Sequence, residues 1–287
     1  MRRLLIALAL VLGALPATAS AELELGVQDD AFLSSAEPNA WPLARELHPD
    51  VIRYNVDWAS VARTRPEQPR APDDPAYDWS ASDRIVREGA AQGARVVLTL
   101  VQAPVWANGK RAPRFAPLDA GDYGDFCRSA ATRYSGSYVP AGATSALPRV
   151  ASYTVWNEPN RGQFLQPQGA HGFEAPRIMA RLVRACTAAI AAEMPDAKVA
   201  FGPLASRGGQ GGIAPIAFLR RYRAAGGPRP AVVALNPYLG SLLPVYRGTE
   251  QEADGAITVR NLDRLERWRR SRLRMVIAPS ASCSSPR

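Results

Sequence analysis

The residues best placed to do chemistry lie in the string Tyr153-Thr154-Val155-Trp156-Asn157-Glu158-Pro159-Asn160. An apolar, β-branched run carries straight into an indole, an amide and a carboxyl, and proline then stops it. A carboxyl at a strand end beside such groups can be kept protonated and can hand its proton to a leaving oxygen. Arg53 lies on a second strand, Val51 to Asp57, which ends in Asp57-Trp58. Trp106 follows a third strand in Ala103-Pro104-Val105-Trp106-Ala107, and its indole offers a flat apolar face. Asn236-Pro237-Tyr238 follows a sixth strand.

Other chemistries are poorly supported. His48 and His171 stand far apart with no ligand spacing around them, which argues against a metal site or a Ser-His-Asp triad. The glycines between Gly208 and Gly212 lack a following Lys-Ser/Thr and so do not make a phosphate loop. They are expected to form a mobile loop above the site. No cofactor is expected.

The elements that must position these residues alternate. Strands are expected at Leu23–Asp29, Val51–Asp57, Arg95–Gln102, Ala151–Trp156, Lys198–Pro203 and Ala231–Asn236. Helices are expected at Glu37–Leu47, Ser80–Gln92, Asp119–Tyr134, Glu174–Glu193, Ile213–Ala225 and Thr258–Arg270. Ser80 and Asp83 read as a capping box for the second helix. Leu273–Ala278 could add a seventh strand. A repeated βα unit builds either a doubly wound sheet or a (β/α)8 barrel. Gly26-Val27-Gln28 does not supply the glycine fingerprint of a dinucleotide-binding sheet. The polar and aromatic residues fall just after each strand instead, and in a barrel those positions share the rim where active sites lie.

With these residues in view, the chain resembles the clan A glycoside hydrolases, in particular the cellulase-like family 5 and the xylosidase-like family 39. The fourth strand of those enzymes ends in W-N-E-P or close to it. The resemblance implies a (β/α)8 TIM-type barrel and retaining hydrolysis of O-glycosidic bonds in a polysaccharide or oligosaccharide. It makes Glu158 the acid/base and Asn157 the residue that binds the sugar 2-hydroxyl. Arg53 matches the family arginine that pairs with the nucleophile, Trp106 a sugar-stacking tryptophan, and Tyr238 the tyrosine that bonds the nucleophile. Asn236 stands where relatives often carry histidine.

The resemblance runs from Glu22 to Trp268 and then breaks. Relatives place a nucleophilic glutamate at the end of the seventh strand, whereas this sequence has no Asp or Glu after Glu266. The barrel is therefore expected to be incomplete, with about six βα units and a remnant seventh strand, as a truncated or frameshifted gene would give. Weak hydrolysis or none is expected of the chain as it stands, unless Asp29 or Asp57 serves as the second carboxylate. A carbohydrate-binding relative without turnover is the alternative, and a secreted interaction protein on the same fold is a third reading.

Composition bounds these readings. The 287 residues are 47% hydrophobic and 21% charged, enough to bury a core. The net charge is +9, yet only Lys110 and Lys198 are lysines, so 35 − 2 leaves 33 arginines. That bias looks like a GC-rich coding habit, and no basic stripe with interleaved aromatics appears, so no nucleic-acid partner is expected. Seven arginines cluster between Arg260 and Arg274. Met1–Ala21 reads as a signal peptide: Arg2 and Arg3, a twelve-residue apolar run Leu4–Leu15, then Ala19-Ser20-Ala21. The barrel domain then spans 22–270, and 271–287 is an atypical tail. The protein is expected to be secreted or periplasmic, with a carbohydrate partner and no membrane association after cleavage. Oligomeric state stays open. Cys127 and Cys186 sit on the buried stripes of consecutive helices, either disulfide-bonded or as two buried thiols. Cys283 is left over.

Overall fold

A computed structural model describes residues 24–35, 37–208, 211–237, 255–257 and 261–271. The signal segment, Tyr238, Leu273–Ala278, Cys283 and the rest of the tail lie outside these residues. In chain order the elements are β1 (Gly26–Val27), α1 (Asp30–Ser34), α2 (Ala40–Glu46), β2 (Val51–Asp57), α3 (Trp58–Val61), α4 (Ser80–Ala91) and β3 (Arg95–Val101). There follow α5 (Ala120–Arg133), β4 (Ser152–Val155), α6 (Glu174–Glu193), β5 (Lys198–Ala205), α7 (Pro215–Ala224), β6 (Val232–Asn236) and α8 (Asp263–Ser271).

All six strands are parallel and pair in sequence order, β1-β2-β3-β4-β5-β6. The sheet curls into an incomplete (β/α)8 barrel. Alternation along β2 shows how the two faces are divided. Ile52, Tyr54 and Val56 are buried beneath the helices, while Val51, Arg53, Asn55 and Asp57 are only half-buried on the inner face. The register then sets Arg53 beside Val97 and Asn55 beside Thr99, with Thr99 beside Thr154. Arg53, Thr154, Ala200, Val232, Ala234 and Asn236 line an inner cavity of about 290 Å³.

The outer face packs densely. Trp58 and Trp79 both stack on Phe126, with ring centroids 5.4 and 5.6 Å apart, and the Tyr123 hydroxyl donates to the Leu100 carbonyl. Gly124 lets α5 approach α6, since a Cβ there would meet the Ala185 Cβ at 3.3 Å. The same contact joins Cys127 to Cys186 in a disulfide with Cα atoms 5.3 Å apart, which resolves the two possibilities left open for these cysteines.

Several expected boundaries shift. β1 is two residues long, α2 begins at Ala40, and α8 begins at Asp263. The Ser80–Asp83 capping box does not form. Ser80 is already helical, and its N–H is taken by the Asp78 carboxylate at 3.1 Å. Asp83 is drawn instead to the buried Arg133 guanidinium, which reaches both its oxygens at 2.8 and 2.6 Å, while Tyr134 donates to Oδ1. A charge-assisted pair in a dry setting outbids a helix cap.

Candidate active site

The chain leaves β4 through two left-handed residues, Trp156 at φ 65° and Glu158 at φ 44°. Neither is glycine, so each conformation costs about 1 kcal/mol or more and must be held by its surroundings. Trp156 is held at both ends, its N–H on the Leu100 carbonyl and its Nε1 on the Phe164 carbonyl. The Glu158 N–H donates to the Pro203 carbonyl at 2.7 Å, pinning it to β5. This turn aims the two neighbours apart: Asn157 is half-buried at the cleft, while Glu158 is 8% exposed and faces Asn236.

Asn236 ends β6 and donates from Nδ2 to Glu158 Oε1 at 2.8 Å. Among the described residues Arg53 donates to Thr99 Oγ1, Gln28 Oε1, Asn55 Oδ1 and Asn157 Oδ1 at 2.9, 2.9, 3.2 and 3.0 Å. Because Arg53 occupies the Asn157 oxygen, the Asn157 amide presents its NH2 side to a ligand. Four expected residues are thus brought together: Glu158, Asn157, Arg53 and Asn236.

Trp106 stands apart from that group. Its Nε1 donates to the Ala62 carbonyl at 2.8 Å, its ring meets Trp58 edge-on, and the Arg65 guanidinium covers a face at 4.6 Å. Trp58 itself is fully buried.

Beside Asn157 lies a polar cleft of about 560 Å³, whose lining includes Asp30, Tyr54, Asn55, Gln102, Arg114 and Trp156. Asp30 accepts from both the backbone N–H and the side-chain amide of Asn55, at 3.0 and 2.6 Å. Burial, with Asp30 and then Asp57 adding negative potential, pushes the Tyr54 phenol above its ordinary value. Asp57 caps α3, accepting from the Ala59 and Ser60 N–H groups and the Ser60 hydroxyl. Those contacts commit its oxygens to structure.

Three contributors escaped the sequence reading. Asp30 and Asn55 gave no motif, although a polar residue just past a strand was the available signal. Asn160 closed the W-N-E-P-N string without being assigned a role. It is fully buried and ties three segments together. Its Nδ2 donates to the Ala205 and Ile213 carbonyls at 3.2 and 2.9 Å, and its Oδ1 accepts from the Ala205 N–H at 2.8 Å. The Ile213 N–H also donates to the Asn160 carbonyl, so the chain just after the glycine-rich stretch is anchored two residues from Glu158. Residues 209–210 of that stretch lie outside the described residues. Among the described residues no group of three His, Cys, Asp or Glu could hold a metal ion, and no helix is long and apolar enough to cross a membrane.

No family model and no curated protein sequence matches the chain. Solved structures do. A family 39 glycoside hydrolase from the gut symbiont Bacteroides cellulosilyticus WH2 aligns with 78% of this chain and 40% of its own at 19% identity, TM-score 0.50. A glucosidase from Croceicoccus marinus aligns over 71% and 41% at 14% identity, TM-score 0.49. A family 1 β-glucosidase from Thermotoga maritima covers 58% and 36% at 14% identity, TM-score 0.39. The chain spans about two-fifths of the length of the first two. At these identities the likeness is one of fold, and this chain shares a partial (β/α)8 barrel with the family 39 glycoside hydrolase.

Proposed function

We propose that the chain carries a glycoside hydrolase site that binds a polysaccharide or oligosaccharide at the rim of β2, β4 and β6, with Glu158 as general acid/base. The reading is carried by one observation: a buried carboxyl at the end of β4 whose Oε1 is occupied by the Asn236 amide. That bond leaves Oε2 as the oxygen that carries a proton. In the reaction, Oε2–H protonates the glycosidic oxygen as the anomeric C–O bond breaks, and the leaving alcohol departs neutral. In a retaining enzyme a second carboxylate about 5 Å away takes the anomeric carbon, and Glu158 then draws a proton from the water that releases the sugar. Asn157, fixed by Arg53, supplies an N–H donor to a ring hydroxyl.

Asp57 is committed to its cap and is not free to act as a second carboxylate. The same fact favours a second reading, a carbohydrate-binding relative with no turnover. Export after loss of Met1–Ala21 completes the proposal, and the secreted protein should begin at Glu22.

Hydrolysis of aryl glycosides, with pull-down on insoluble glucan and xylan, separates the readings. Slow hydrolysis that disappears in Glu158→Gln supports the first. Binding without hydrolysis selects the second. Neither hydrolysis nor binding defeats both.

A further inference from the structure

The charge on the outer face of the barrel is distributed unevenly. From residue 171 to 237 the chain has nine basic residues (eight arginines and Lys198) against Glu174, Glu193 and Asp196. Two of those acids are engaged elsewhere, Glu193 by Arg128 and Asp196 by Arg149. Arg177, Arg181 and Arg184 follow one another along the exposed side of α6, and Arg220, Arg223 and Arg229 are exposed on and just after α7. Among the described residues none of these six is in an ion pair, while seven arginines elsewhere are. What sets this stretch apart is that nine basic residues share it with three acids, two of which are already paired with arginines from outside it.

Two hydrogen-bonded ties show that the six share one strip. Arg221 at the end of α7 donates to the His171 and Gly172 carbonyls just before α6. Arg184 donates to the Gly226 carbonyl just after α7. The stretch of α6 between these ties therefore runs alongside the end of α7, bringing Arg177 and Arg181 level with Arg220 and Arg223. From Arg177 to Arg184 the row extends about 10 Å along the helix. Its like-charged pairs at i,i+4 and i,i+3 oppose helix formation. An anion bound across the row would relieve those repulsions.

We propose that the face shared by α6 and α7 is a docking surface for an acidic polysaccharide, its carboxylates meeting the arginine row. The planar guanidinium matches a carboxylate with two parallel hydrogen bonds, a geometry lysine lacks. A row of forks along one helix suits a linear chain. No aromatic ladder accompanies it on which bases could stack, which disfavours nucleic acid. The surface lies on the outer, helical side of the barrel, so a polymer held there leaves the Glu158 cleft open.

The test is affinity electrophoresis of the full chain in gels containing polygalacturonate, neutral dextran or nothing, with phosphatidylglycerol vesicles in a parallel flotation assay. Polygalacturonate is expected to retard the protein and dextran to leave it unmoved, with retardation fading as salt shortens the screening length to about 8 Å. The triple variant R177Q/R181Q/R184Q should bind about tenfold more weakly or worse, and R220Q/R223Q should weaken in the same direction. The charge-matched R70Q/R95Q/R149Q, drawn from paired arginines, should stay within about twofold of the parent, because its charges were already neutralised locally. Glu158→Gln should leave retardation intact. Equal loss in the charge-matched variant, loss in Glu158→Gln, binding to vesicles alone, or no retardation at low salt would each overturn the proposal. Unchanged far-UV circular dichroism verifies that the variants fold.

Discussion

Asn236 Nδ2 lies 2.8 Å from Glu158 Oε1, joining the last residue of β6 to the third residue past β4 across 78 positions of sequence. The contact is buried and depends on both strand ends being set at one height. It makes Asn236, an amide that does not titrate, the group that occupies Glu158 Oε1.

Replacing Asn236 by aspartate should put two carboxylates at this contact. Repulsion and burial then raise the pKa of the pair above its unfolded value. Stability associated with a raised carboxyl is present below the unfolded pKa and lost as pH rises through the folded one. Asn236→Asp should therefore lie close to the parent in urea melts near pH 4 and fall about 2 to 3 kcal/mol below it at pH 8. Identical curves at both pH values would show that the two side chains do not meet.

Asn160→Ala should cost about 3 kcal/mol, since it strands the Ala205 N–H and two carbonyls in the interior. Asn160→Asp should be no better, because it replaces the donor with a buried charge. Glucan or xylan retention should weaken in Asn160→Ala at temperatures where circular dichroism still reports a folded protein. Retention equal to the parent would mean that the brace does not position the rim.

The Cys127–Cys186 bond closes a loop across 59 positions. Chain entropy alone gives its removal in Cys127→Ser/Cys186→Ser a cost of about 4 kcal/mol. Both cysteines are fully buried. Dithiothreitol should therefore leave the folded protein bonded and lower the urea midpoint only after unfolding has exposed the sulfurs. Mass spectrometry of two free thiols in the native protein would defeat this.

Burial raises the phenols of Tyr123, Tyr134 and Tyr153 above the ordinary value of 10.0. For Tyr134 the Asp83 carboxylate adds to the rise. The unfolded chain releases these protons first, so stability is level below pH 10 and falls as pH climbs beyond it. In absorbance titrations these three should ionise only together with loss of circular dichroism. Smooth titration of all nine tyrosines near pH 10 in a folded protein would contradict the packing.

The alternation of strands and helices was legible because each element repeats its apolar residues at the period of its own geometry. Ile52, Tyr54 and Val56 alternate as a strand must, and Ile178, Leu182, Cys186 and Ile190 fall on one helical stripe. The W-N-E-P string located Glu158 because a carboxyl directly after an apolar strand is a local event. Boundaries slipped where a tertiary partner outcompeted the local one, as when Arg133 drew Asp83 away from the start of α4.

What the sequence determined by itself was the periodicity of each element and the position of Glu158 at a strand end, since both depend on residues close together in the chain. Which groups meet Glu158 was decided only by tertiary structure. Asn236, Pro203 and, through Asn157, Arg53 reach the site from three other strands, and their meeting depends on parallel register and on the curl of the sheet. The same holds for Cys127 and Cys186, whose stripes marked them as buried but not as partners. A side chain's face is written in its spacing. Its partner is fixed only when two elements pack at one height, because packing selects one alignment among the many that the same periodicity allows.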